Sequence, residues 1–131
     1  MIVLDTHAWV WWLGNPRRLS PRARKAIAQA MDQGSVHVSS ISTWEVALLV
    51  ERGRLELTMA VDDWLARAEA LPFMTFVPVD NRIALTAVRL PPPFHADPAD
   101  RIIVATAMTL GATLVTRDER IRAYPLVRTL W

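Results

Sequence analysis

Asp5, Glu45, Asp100 and Asp118 are the residues whose types and placement could do chemistry in this sequence. Asp5 closes the apolar run Ile2-Val3-Leu4, and Asp118 follows Thr113-Leu114-Val115-Thr116. Glu45 falls in the first turn of a helix expected after Val36-His37-Val38, and Asp100 in the first turn of one that begins at Pro98. In an open α/β sheet, ligands bind in the crevice outside the carboxyl ends of the strands. Four carboxylates gathered there repel one another unless a cation holds them, and oxygen donors without Cys or His favour Mg²⁺ or Mn²⁺ over zinc. Such an ion activates water and neutralises charge developing on a phosphate, alone or as a pair. Thr6 and Thr116 flank the acids and could orient ligands or water through their hydroxyls.

Each acid also has a purely structural explanation. Ser42-Thr43-Trp44-Glu45 matches a capping box, with Ser42 as N-cap and Glu45 reaching back to it. Asp97 before Pro98 is a good N-cap, which puts Asp100 beside the positive end of the helix dipole. Their neighbours argue for more. Residues at i+3 and i+4 share a helical face, so Asp100 is in line with Ile103, Val104 and Ala107, and Glu45 with Leu48 and Leu49. A carboxylate entering an apolar face costs several kcal/mol unless it is paired or binds a metal.

The elements that must position these acids alternate along the chain. Ile2–Leu4 is too short and too apolar for anything but a buried strand. Thr6 can cap a short helix to Leu13, broken by Gly14-Asn15-Pro16. Ser20 with Pro21 opens a helix to about Asp32, stopped by Gly34. Val36–Ser39 is the second strand, and Ser42 caps a helix ending near Gly53. Further helices are expected over Val61–Leu71, Asn81–Leu90 and Pro98–Leu110, and further strands over Phe76–Val79, Thr113–Thr116 and Val127–Leu130. The helix after Asp97 runs ~20 Å and the extended segment after it returns ~16 Å, so Asp118 comes back level with Asp100. Strands alternating with helices make an α/β fold, a parallel sheet flanked by helices on both faces. The 131 residues fit one domain, residues 1–131.

Composition narrows the setting. There is no cysteine, hence no disulfide, thiolate site or cysteine nucleophile. No apolar stretch reaches the ~18 residues needed to span a bilayer, and no basic leader precedes the first strand, so a cytoplasmic location is expected. The net charge of +2 is no nucleic-acid signature in itself. Arg17, Arg18, Arg22, Arg24 and Lys25 nevertheless form a dense basic cluster, either a solvated face or a guide for an RNA backbone. Trp9, Trp11 and Trp12 crowd one short helix whose single inward stripe cannot bury all three. Trp9 is expected in the core, and Trp11 or Trp12 at a protein–protein contact.

The four acidic segments together carry a resemblance to a known family. Ile2-Val3-Leu4-Asp5-Thr6, Ser42-Thr43-Trp44-Glu45-Val46, Asp100-Arg101-Ile102-Ile103-Val104-Ala105-Thr106-Ala107 and Leu114-Val115-Thr116-Arg117-Asp118 resemble, in order and spacing, a PIN-domain protein of the VapC type. His95-Ala96-Asp97-Pro98-Ala99-Asp100-Arg101 is similar to a motif of a bacterial subgroup. The resemblance implies a ribonuclease toxin dependent on Mg²⁺ or Mn²⁺, acting on RNA, dimerising, and inhibited by a VapB-like antitoxin. It assigns Asp5, Glu45, Asp100 and Asp118 to the metal site. Asp97 is the ambiguous acid, N-cap or further ligand, the motif before Ala105-Thr106-Ala107 favouring Asp100 as the ligand, and His95 contacts RNA or braces its loop.

Two other readings compete. A phosphotransfer or haloacid-dehalogenase-type enzyme would want a second Asp where this chain has His7, and a lysine near the site, whereas the only lysine is Lys25. A catalytically inactive PIN-type module that binds RNA or protein would keep the fold without the cleavage.

Overall fold

With no polar side chain to turn towards water, Ile2-Val3-Leu4 forms the central strand β1 (Ile2–Leu4), buried throughout. The computed structural model describes residues 1–131. Strands β2 (Val36–Ser39), β3 (Met74–Val77), β4 (Thr113–Val115) and β5 (Thr129–Leu130) join β1 in one parallel sheet of order β3-β2-β1-β4-β5. The chain steps outward from β1 to β2 and β3, then returns across β1 to β4 and β5. The strand order therefore reverses between β1 and β4, and a crevice opens at such a point.

The two-residue period of the strands divides the core. Ile2, Leu4, Val36, Val38 and Val115 pack on one face with helices α1 (Thr6–Gly14), α2 (Pro21–Asp32), α3 (Ser40–Glu51) and α4 (Val61–Glu69). Val3 and Leu114 point the other way, against α6 (Pro98–Leu110) and α7 (Glu119–Arg122). Helix α5 (Asn81–Val88) packs through Ile83 and Ala87 with Val77 and Ala105. Trp9 is fully buried as expected, its ring 4.6 Å from Trp64 and 5.6 Å from Phe76. Its indole N–H has no partner, so its contribution is packing alone. No helix is long and apolar enough to cross a membrane.

Several expected boundaries move, each for a local reason. Helix α1 is capped by Asp5 rather than Thr6: Asp5 is extended (φ −63°, ψ 156°) and its carboxylate accepts from the Thr6 N–H. Helix α3 starts at Ser40, immediately after the strand, because Ser39 takes the N-cap and accepts from the Ile41 N–H. Ser42 is therefore no cap, and Glu45 lies in the second turn, outside any capping box. Helices α4 and α5 stop at Glu69 and Val88, short of Pro72 and Pro91, which disfavour the helical region for the residue before them. Strand β3 runs Met74–Val77 rather than Phe76–Val79, since Pro78 has no N–H for a ladder. Helix α7 has no counterpart among the expected elements, being a single turn that Asp118 nucleates.

Candidate active site

Asp5 sits one residue beyond β1, where its N–H still continues the ladder to the Val115 carbonyl at 3.0 Å. Its carboxylate is held at both oxygens: Oδ1 accepts from the Thr6 N–H at 2.9 Å, and Oδ2 from the Thr116 hydroxyl at 2.7 Å. The same Thr116 oxygen accepts from the Asp118 N–H at 3.0 Å. Asp118 in turn caps α7, accepting from the N–H groups of Arg120 and Ile121. One buried threonine at the end of β4 thus fixes both acids on either side of the strand-order reversal.

Glu45 comes from α3. Its Oε1 accepts from the Thr6 hydroxyl at 2.5 Å, and the Thr6 oxygen lies 2.8 Å from the Ser42 hydroxyl. Thr6 has one proton and gives it to Glu45, so Ser42 is the donor to Thr6. Thr6, Ser42 and Thr116 therefore orient the acids, and their hydroxyl protons are committed to that. Asp100 occupies the third position of α6, its N–H donating to Asp97 Oδ1 at 2.9 Å. The capping role expected of Asp97 is present in the geometry. His95 Nε2 lies 2.6 Å from Asp100 Oδ2, bracing the acid from the preceding loop. The Arg120 guanidinium stands 3.8 Å from both Asp100 Oδ2 and Asp118 Oδ2.

Burial and mutual repulsion act on these carboxyls together. Asp5 is raised above the ordinary aspartate range chiefly by burial; the Thr116 bond opposes this and the Asp100 charge adds to it. Glu45 is pushed up to about 7, again chiefly by burial, with Thr6 opposing and the charges of Asp5, Asp100 and Asp97 adding. Asp100 is raised by burial first, the His95 bond opposing and Asp97 and Asp118 adding. No three His, Asp or Glu side chains converge into a ready-made cage for a metal ion. The donor chemistry nonetheless suits a hard dication. All four groups are carboxylates, and burial, with their mutual repulsion, makes three of them hold their protons above the ordinary range.

The acids line a cleft of ≈ 820 Å³ that also takes in Trp11, Trp131, Arg18, Arg54, Arg117, Arg120 and Arg122. Of the basic cluster foreseen from sequence, Arg18 alone reaches it; Arg17, Arg22, Arg24 and Lys25 are exposed outside its lining. The other cleft arginines come from segments with no basic run to mark them. Next to the cleft, and sharing Trp11, lies a groove of ≈ 440 Å³ lined largely by apolar side chains, among them Leu13, Leu55, Leu57, Met59 and Trp64.

A parallel sheet of this order with acids gathered at its reversal point defines a class, and the family model of the PIN domain matches residues 2–126. The chain belongs to the PIN domain family, and within it to the VapC type. Ribonuclease VapC22 of Mycobacterium tuberculosis is 41% identical over 132 residues, which cover 99% of this chain and 98% of that protein. Among solved structures, FitAcB from Neisseria gonorrhoeae superposes with a TM-score of 0.71 at 23% identity, covering 100% of this chain and 97% of that one. VapBC2 from Rickettsia felis, bound to a DNA fragment from their promoter, does so with a TM-score of 0.72 at 15% identity, covering 99% and 98%. At those identities the two structures speak for the fold.

Proposed function

We propose that this protein is a metal-dependent endoribonuclease, the toxin of a toxin–antitoxin pair. The observation that carries the reading is the meeting of Asp5, Glu45, Asp100 and Asp118 around one cleft at the sheet's reversal point. The likeness to a named ribonuclease along nearly the whole chain supports it. The four acids would hold Mg²⁺ or Mn²⁺, which when bound supplies an activated water and neutralises phosphate charge. The chain's own part is to hold the acids in place. Thr116 fixes Asp5 and Asp118, Thr6 and Ser42 fix Glu45, and His95 fixes Asp100. The apolar groove beside the cleft fits a VapB-like antitoxin, in keeping with the toxin–antitoxin complexes that share this fold. Helix α5 offers a second apolar face, on which the protein pairs with a copy of itself.

The test is cleavage of RNA by the purified protein with Mg²⁺ or Mn²⁺ and in excess EDTA. Asp5→Asn, Glu45→Gln, Asp100→Asn and Asp118→Asn should each remove most cleavage, roughly a hundredfold or more, while leaving a folded protein. Equal cleavage in EDTA would overturn the reading. One other reading is an inactive PIN-type module that binds RNA or protein. RNA binding without turnover in either metal would support that reading instead.

A further inference from the structure

We propose that Trp11, Arg18 and Arg117 form a phosphate-binding subsite at the lip of the acidic cleft, which takes the RNA backbone next to the bond being cut. The inference rests on the ribonuclease reading and goes beyond it by assigning a substrate contact. The Arg18 guanidinium carbon stands 4.3 Å from the centre of the Trp11 ring, and that of Arg117 stands 5.9 Å from the same centre. One indole therefore gathers two cations from separate parts of the chain. Arg18 comes from the 3₁₀ turn after α1, and Arg117 directly follows Thr116, the residue that holds Asp5.

Both guanidiniums are free of partners within the chain. The one arginine in an ion pair is Arg120, and the arginines whose side chains donate hydrogen bonds are Arg101 and Arg128. Arg18 and Arg117 thus keep their N–H donors, and a planar fork of donors matches a phosphate in bidentate fashion. Attraction to the ring face restrains each long side chain without using those donors. The acids behind the lip repel any anion, so a polyanion entering the cleft needs cations at its mouth. A second aromatic ring, Trp131, stands 5.9 Å from Trp11. Cations interleaved with two half-buried rings suit a single strand, whose phosphates pair with arginine and whose bases stack, better than they suit a carboxylate-bearing peptide.

The experiment uses the full chain and a short fluorescein-labelled single-stranded RNA. Anisotropy in EDTA across a salt series reads binding, and cleavage of the same RNA with Mn²⁺ reads kcat and KM. Trp11→Ala, Arg18→Gln and Arg117→Gln should each weaken binding by about three- to tenfold, and each lost contact should flatten the salt slope by about 0.7. The loss should fall on KM more than on kcat. Trp11→Phe, which keeps a ring face, should recover most of the affinity. Because Trp11 acts by holding Arg18, the Trp11→Ala, Arg18→Gln double variant should bind little worse than Trp11→Ala alone. Losses that multiply in the double variant would overturn the clamp. So would wild-type affinity and salt slope in the Arg18→Gln, Arg117→Gln double variant, whose exposed substitutions leave a folded protein to measure even where Trp11→Ala does not. Unchanged RNA affinity with weaker capture of the antitoxin would give the two arginines to the protein partner and overturn the RNA assignment. A wild-type protein that neither binds nor cuts RNA would overturn the ribonuclease reading itself. One that cuts RNA while all the variants match it would overturn the subsite alone.

Discussion

Thr116 shows how a neutral side chain can hold two like charges apart and in place, giving its proton to Asp5 and accepting from the backbone of Asp118. Such bonds only partly offset burial, so the carboxyls of Asp5, Glu45 and Asp100 all hold their protons more tightly than usual. The consequence for stability has a definite sign. At low pH Glu45 is protonated in both states, and its contribution is fully present. Between its ordinary 4.5 and the folded value of about 7, the unfolded chain gives up the proton and the folded one keeps it, so stability falls as pH rises. Asp5 and Asp100 act in the same direction. Thermal melts in EDTA should therefore show the melting temperature falling from pH 5 to pH 8, and saturating Mg²⁺ should flatten that fall by binding the ionised acids. Glu45→Gln should melt higher than the wild type in EDTA at pH 8; an equal or lower melting point would contradict this assignment. These four acids were legible in the sequence because each ends an apolar run or enters an apolar helix face. Their hydroxyl partners were legible only as neighbours. The Thr6–Glu45 bond joins residues 39 apart, and no local pattern records such a contact.

Helix ends decide where the acids point, and here local signals are uneven guides. Helix α6 was readable to its limits because its signals do not compete: Asp97 and Pro98 at the start, and Gly111 at the end with φ of 64°. The start of α3 was not, because Ser39, Ser40, Ser42 and Thr43 are all competent caps; the strand's length in the sheet selects Ser39. That shift of three residues moves Glu45 from the first turn to the second and frees it from capping. The loop before α6 takes most of its side-chain hydrogen bonds from one residue, with Tyr124 adding a bond to the Pro91 carbonyl. Arg101 donates to the carbonyls of Ala87, Val88, Phe94 and His95, joining the end of α5 to the loop that carries His95. Arg101→Ala strands these acceptors and should cost about 2 kcal/mol in urea unfolding. Cleavage should also drop, as His95 loses its support beneath Asp100. Arg101→Lys should recover less than half of the stability, because one ammonium cannot serve carbonyls spread around a planar fork. Full recovery by lysine would show that charge alone matters there.

Viewed as a whole, the molecule keeps the exposed apolar residues of α5 out of the lining of its acidic cleft. The sheet's reversal point collects the acids on one edge, as alternating strands and helices led one to expect, and the outer surfaces were the part least legible beforehand. Trp11 and Trp12 are half-buried, against Trp131 and Phe73 respectively, because residues distant in sequence fold over them. The one exposed tryptophan is instead Trp44, on α3 at 57%. Apolar exposure is also marked on α5, where Leu85 is 48% and Val88 76% exposed. Three residues apart, these two share one face of the helix, and Val79, also exposed, leads into it. A ridge of this kind suits a two-fold contact in which α5 of one copy meets α5 of the other, since such an interface joins a patch to itself. Light scattering at micromolar concentration should then report a dimer. Val88→Glu would place two like charges against each other across the two-fold axis and should yield a monomer. Because Val88 is mostly exposed, the variant should keep the wild-type circular dichroism and lose little stability in the isolated protomer. A wild-type monomer would remove the pairing altogether, whereas a dimer that Val88→Glu leaves intact would move it to another face, with Trp44 on α3 the next to substitute.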